Sequence, residues 1–277
     1  MTILAGVITK NAIVIASDSQ ESHPEGSKEN DLVKIHVLKI GGSEVLAGLC
    51  GEVILTSRFL ELLPITEPLP ESAGYTVVEK VARHAMRILR RELRVNQHDD
   101  CSPEMFDDIM LKRQRRCSAL IAYCEESEPR LFGIKINDVI PLRASRSYMV
   151  DGSGAEIGKY LLADNTDFFM DRDLATAMAI YAVELAKTHN NGCGGDIQCA
   201  VLEYILDWWK PGSGRAVTAL LSGAKIAELS KLLAVVEPEA KKQRNDKLRE
   251  LLGHDITGTI AAALSKNLED KKDELRS

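Results

Sequence analysis

Strand and helix signals come along this chain in blocks, and that grouping narrows the fold more than any single motif does. Leu4 to Ile8 and Ala12 to Ala16 are β-rich apolar runs joined by the polar Thr9-Lys10-Asn11, a hairpin-like connection. Two further short strands, Lys34 to Ile40 and Glu44 to Leu49, flank the turn Gly41-Gly42-Ser43. From Val53 to Leu63 the apolar residues recur at helical spacing until Pro64. A second helix is predicted over Thr76 to Arg94, with Val77, Val81, Ala85, Ile88 and Leu89 on one face. Strands follow at Ser118 to Cys124 and Leu131 to Ile136, and a third is predicted over Arg143 to Val150. Then come helices over Ala155 to Ala163 and Asp171 to Lys187, the latter opening on acidic residues that suit the positive end of a helix dipole. A strand over Ile197 to Ile205 closes the series. Blocks of strands with blocks of helices predict α+β layers rather than alternating βαβ units.

The connections carry ordinary loop signatures, including His23-Pro24-Glu25-Gly26 inside the polar stretch Gln20 to Asn30. Asn96 to Arg116 reads as a surface connection holding a short helix. The segment Asp207 to Gly214, with Pro211 and two glycines, reads as a boundary. It divides a first domain, 1–206, from a helical C-terminal extension, 207–277, with helices predicted over 224–236, 237–252 and 257–275. A formal net charge of -6 and an aromatic content of 5% give no support for a nucleic-acid partner. The apolar runs are too short to cross a bilayer, and no basic segment followed by an apolar one opens the chain, so a cytoplasmic protein is expected. The six cysteines are scattered without metal-ligand spacing and read as buried thiols.

Thr2 follows Met1 directly. Loss of that methionine would leave threonine a free α-amine beside its hydroxyl, a general base and a nucleophile on one residue. Such a site also needs a cation to lower the amine's pKa, an anchor for the cation, and donors for an oxyanion. Lys34 could supply the cation, Asp18 at the end of the second strand its anchor, and the backbone N–H of Gly48 the oxyanion donor. No metal or organic cofactor is required by this chemistry.

With these residues in place the chain resembles the proteasome-type β-subunits, and within that group it is similar to the bacterial peptidase HslV. The likeness rests on the initial threonine, Ala-Ser-Asp-Ser-Gln (Ala16 to Gln20), Lys34-Ile35-His36 and Glu44 to Gly51. It continues in Asp151-Gly152-Ser153-Gly154 ahead of a helix and in Gly192 to Ile197 ahead of the last strand. It covers roughly residues 2 to 205. The resemblance implies a four-layer αββα sandwich of the N-terminal-nucleophile (Ntn) hydrolase type. It makes Thr2 the nucleophile, Asp18 and Lys34 its charge partners, Gly48 an oxyanion donor and Ser153 a supporting hydroxyl near the amine. It also implies a homo-oligomeric ring acting on peptide or unfolded protein, with an ATP-dependent unfoldase as a partner. Asn190 and Cys193 depart from the family's pattern, where an aspartate and a serine are usual. Cys193, with no histidine placed to activate it, reads as a structural thiol. The alternatives are an Ntn-type amidase, a peptide transferase or ligase, and a catalytically inactive ring subunit that keeps Met1.

Overall fold

The computed structural model describes residues 2–22, 28–68, 74–98, 102, 105, 117–138, 140–144, 147–206 and 214–231. The first half supplies the strands β1 (Ile3–Ile8), β2 (Ala12–Asp18), β3 (Glu21–Ser22), β4 (Lys28–Glu29), β5 (Ile35–Ile40) and β6 (Ser43–Gly51), then the helices α1 (Val53–Leu62) and α2 (Val77–His98). The second half adds β7 (Cys117–Glu125), β8 (Glu128–Lys135), β9 (Leu142–Arg143) and β10 (Tyr148–Gly152). It ends with α3 (Ala155–Asn165), α4 (Arg172–His189), β11 (Ile197–Leu206) and β12 (Gly214–Leu220).

β1 and β2 form the predicted hairpin. Thr9 closes it: its N–H donates to Ala12 O at 2.8 Å, and its hydroxyl oxygen accepts from Ala12 N–H at 3.1 Å. All of β2 and all of β1 except Ile8 are buried, so both faces of the hairpin are covered. Successive side chains of a strand point to opposite faces. Leu4, Ile13 and Ile15 accordingly enter one core, and Ile3, Ala5, Val7, Ala12, Val14 and Ala16 enter another.

Two five-stranded antiparallel sheets result. The first runs β10-β1-β2-β11-β12 and the second β5-β6-β7-β8-β9, with β3 and β4 forming a small separate ladder. Leu4, Ile13, Ile15 and Leu202 of the first sheet meet Leu46, Leu120 and Leu131 of the second in a central core. On its other face the second sheet packs Val45, Ala47, Ile121 and Phe132 against Phe59 of α1 and Val81, Ala85 and Leu89 of α2. The first sheet packs its other face against Leu162 of α3 and Ala179, Ile180 and Val183 of α4. α2 starts at a capping box, in which Thr76 N–H donates to Glu79 Oε2 at 2.9 Å and Glu79 N–H to Thr76 Oγ1 at 3.2 Å. Asp171 caps α4 by accepting from Asp173 N–H.

Two local expectations change. The single strand expected over Arg143 to Val150 is two strands in different sheets, since β9 pairs with β8 and β10 with β1. Local composition marks both as strand but does not reveal where the chain crosses over. Residues 214–220, which carried no strand prediction and lie in the segment assigned to the C-terminal extension, form β12, which pairs with β11 over its whole length. The alternation Arg215-Ala216-Val217-Thr218-Ala219-Leu220 suits an edge strand. Residues 223–231 are helical. Chain contacts divide the protein into Met1–Ser230 and Lys231–Ser277. The expected C-terminal helices beyond residue 231, Cys101, and the short helix of 96–116 apart from residues 96–98 (which continue α2), 102 and 105 fall outside the described residues. No helix among the described residues is long and apolar enough to cross a membrane.

Candidate active site

Thr2 sits just ahead of β1, only 4% exposed, where β1 lies between β2 and β10. Asp18 is the last residue of β2, and register places it opposite Ile197 of β11. Lys34 immediately precedes β5 and is pinned at both backbone groups. Its N–H donates to Gln198 Oε1 at 2.8 Å, and its carbonyl accepts from Leu49 N–H at 2.8 Å. Gln198 belongs to β11 of the first sheet and Leu49 to β6 of the second, so Lys34 is fixed where the sheets meet.

The Lys34 ammonium has three N–H donors and three oxygens around it. It donates to Asp18 Oδ1 at 3.1 Å, to Gln20 O at 2.6 Å, and to Thr2 Oγ1. Asp18 is fully buried and Lys34 is 3% exposed, so the pair is removed from water. Such a pair is tolerable only when its remaining hydrogen-bonding capacity is satisfied. Asp18 meets that condition: Oδ1 also accepts from Ile3 N–H at 3.0 Å, and Oδ2 accepts from Gly194 N–H at 3.0 Å. Because Thr2 Oγ accepts from the ammonium, its own proton is left to be given elsewhere.

Ser153 brackets Thr2 from the other side. Its hydroxyl oxygen accepts from Thr2 N–H at 3.2 Å, and its O–H donates to Thr2 O at 3.2 Å. This approach depends on Gly152, whose φ is 98° and where a Cβ would collide with the Thr2 carbonyl oxygen. Both residues that depart from the family pattern touch Ser153. Asn190 Nδ2 donates to Ser153 O at 2.8 Å, and Cys193 Sγ lies 3.9 Å from Ser153 Oγ. Burial, with Asp18 adding to it, pushes the Cys193 thiol above its ordinary pKa, so it stays a neutral thiol.

Four of the five residues singled out from sequence thus gather at one point: Thr2, Asp18, Lys34 and Ser153. Gly48 does not join them. It lies inside β6, paired with Ile35 on one side and Leu120 on the other. Leu49 N–H points to β5, so the alternation of an antiparallel ladder turns Gly48 N–H toward β7. A Cβ on Gly48 would meet Ile15 at 2.9 Å and Leu4 at 3.3 Å, in the central core.

A cavity of about 240 Å³ opens beside Thr2. Its walls include Val33 and His36 from the β5 side, Leu49 and Gly51 of β6, and Val53, Thr56 and Leu60 of α1. Sequence reasoning passed over these wall residues. His36, Leu49 and Gly51 lie in stretches that carry the resemblance, and His36 has a further signal, since it lies two positions beyond Lys34 and strand alternation puts both on one face. Among the described residues no group of three or more His, Cys, Asp or Glu side chains is placed to hold a metal ion.

No protein-family model and no curated protein sequence matches the chain. Solved structures do share its fold. Anbu (ancestral beta-subunit) from Yersinia bercovieri superposes with a TM-score of 0.62 at 16% identity, over 87% of this chain and 97% of that one. Anbu from Hyphomicrobium sp. strain MC1 gives 0.59 at 14% identity, over 87% and 97%. The Anbu complex from Pseudomonas aeruginosa, solved as a helical assembly, gives 0.60 at 15% identity, over 87% and 96%. These findings correct the resemblance to proteasome β-subunits of the HslV kind: the neighbours are Anbu proteins, which are proteasome-like but a distinct family. At such identities the likeness is one of fold: an α+β protein of two antiparallel sheets covered by helices.

Proposed function

We propose that the chain is an Ntn-type hydrolase on an αββα sandwich, cleaving peptide bonds with Thr2 once that residue carries a free α-amine. The observation that carries the proposal is the contact of Thr2 Oγ with an ammonium, Lys34, that is itself held by the buried Asp18. The cation disfavours protonation of a nearby amine and favours negative charge developing on Oγ.

In the proposed cycle the Thr2 amine, directly or through one water, takes the proton from Oγ, and Oγ bonds to the carbonyl carbon of the substrate. The carbonyl π pair moves to oxygen. When the tetrahedral species collapses, the C–N bond breaks and the leaving amine takes the proton held by the Thr2 amine. Water, deprotonated by the same amine, then attacks the ester, and the acid departs with Oγ reprotonated. Ser153 Oγ, 3.2 Å from Thr2 N, holds the amine in place. With Gly48 N–H turned to β7, the oxyanion donor is proposed at Gly51. Gly51 lines the cavity, has a φ of 133°, and lies two residues past Leu49 on the same edge of β6. The cavity beside Thr2 would take the substrate side chain preceding the cleaved bond. Assembly of several copies is proposed by analogy with the helical assembly of the Pseudomonas aeruginosa Anbu complex.

Intact-mass analysis tests the reading. The protein should begin at Thr2 and gain one adduct from a peptide epoxyketone, a reagent that needs both the amine and the hydroxyl. Thr2→Ala should fold and take no adduct. A blocked Thr2 with no adduct would refute the enzyme and leave an inactive assembly subunit.

A further inference from the structure

We propose that His36 selects the substrate side chain bound beside Thr2, accepting a hydrogen bond from it when neutral and holding a carboxylate when charged. The inference rests on Thr2 as the nucleophile. His36 lines the cavity together with Thr2, and its Nε2 lies 3.1 Å from Val33 O. A carbonyl oxygen can only accept, so Nε2 carries a proton in the neutral ring and Nδ1 is left with a lone pair. Nδ1 has no partner among the described residues. It therefore accepts from a ligand in the neutral state and donates to one in the charged state.

Two other wall residues carry a titratable group, Lys34 and, once its α-amine is free, residue 2. All three N–H bonds of Lys34 are taken by Thr2, Asp18 and Gln20, and the α-amine is common to the parent and the His36 variants, so its part in any pH dependence survives the substitution of His36. From α1 the wall residues are Val53, Thr56, Ser57 and Leu60, and from β6 Leu49 and Gly51, none of them titratable. The Thr56 hydroxyl is committed to Glu52 O at 3.2 Å and Val53 O at 3.1 Å. Burial lowers the imidazole below its ordinary range, with the Val33 carbonyl acting the other way. The ring is thus neutral at pH 7 and takes up its proton as the pH falls below that lowered range. At neutral pH the cavity suits an apolar side chain or one with a donor at its tip. In acid it admits glutamate or aspartate.

The test measures peptide binding to the Thr2→Ala protein by fluorescence anisotropy. The peptides are identical except for one residue, Glu, Gln or Leu. On passing from about pH 8 to about pH 5, where a glutamate is still mostly ionised, the Glu-to-Leu affinity ratio should rise about tenfold. With His36→Leu or His36→Gln added, the ratio should stay flat. A flat ratio in the parent, a rise that survives His36→Leu, or no binding of any of the three peptides overturns the proposal. Epoxyketone labelling of the unmutated protein reports on Thr2 separately. An adduct with a flat ratio rejects the His36 role alone, and a shifting ratio without an adduct rejects the nucleophile alone.

Discussion

Replacing Lys34 by methionine keeps most of the side-chain volume and removes the ammonium. The change leaves Asp18 buried at 0% exposure, still accepting from Ile3 and Gly194 N–H but without its counter-charge. Removing one partner of a buried pair costs about 3–5 kcal/mol, and the two retained backbone donors place this case near the lower end, at about 3 kcal/mol. Gln20 O and Thr2 Oγ each lose a donor as well, so the substitution is not offset locally. Urea denaturation followed by circular dichroism measures the loss. A double-mutant cycle with Asp18→Asn should show a coupling of about 1–3 kcal/mol, because the second change removes the stranded charge. If Lys34→Met cost less than about 1 kcal/mol, or the two changes simply added, the pair would not be the buried anchor described above, and the activation of Thr2 would lose its basis.

Two further outcomes are expected. Burial alone would raise the Glu79 carboxyl, yet its bonds to Arg143, at 2.6 and 2.7 Å, and to Thr76 hold it below the ordinary range. A depressed carboxylate pKa adds stability above its unfolded value, about pH 4.3, that is lost as pH falls through the folded value. Glu79→Gln should therefore flatten the acid limb of stability, measured by urea denaturation between about pH 6 and about pH 3, and an unchanged limb would contradict the assignment. Gly152→Ala forces a side chain into a φ of 98° and against Thr2 O, with a backbone penalty of about 1–2 kcal/mol. Epoxyketone labelling of Thr2 should fall at temperatures where circular dichroism still shows a folded protein. Full labelling would show that Thr2 does not depend on this approach.

The blocks of strand and helix were legible because β1 and β2 are short apolar runs bounded by polar turns, while α2 carries a buried stripe at helical spacing. That Thr2, Asp18, Lys34 and Ser153 lie close together was legible in the sequence, since each stands at the end of an element or just outside one. Gly48 was misplaced for a reason that composition does not carry: whether a backbone N–H faces the site or the next strand depends on register, and one residue reverses it. β12 was missed because the glycines at 212 and 214 resemble a linker, while the strand after them gains most of its definition from β11. The division of 143–150 between two sheets was likewise hidden, since pairing partners rather than local propensity decide which sheet a short strand joins.

The anchoring of Asp18 has a consequence for the order in which the chain is made. Thr2, Asp18 and Lys34 leave the ribosome before their supports: Gly194, which secures Asp18 Oδ2, lies 176 positions after it, and Ser153 lies 151 positions after Thr2. A nascent chain therefore carries the proposed nucleophile and its cation long before it carries the parts that hold them still. If Thr2 is the nucleophile proposed above, its full support is in place only after residues 153 and 194 have been made, so the order of the supports in the sequence delays its chemistry.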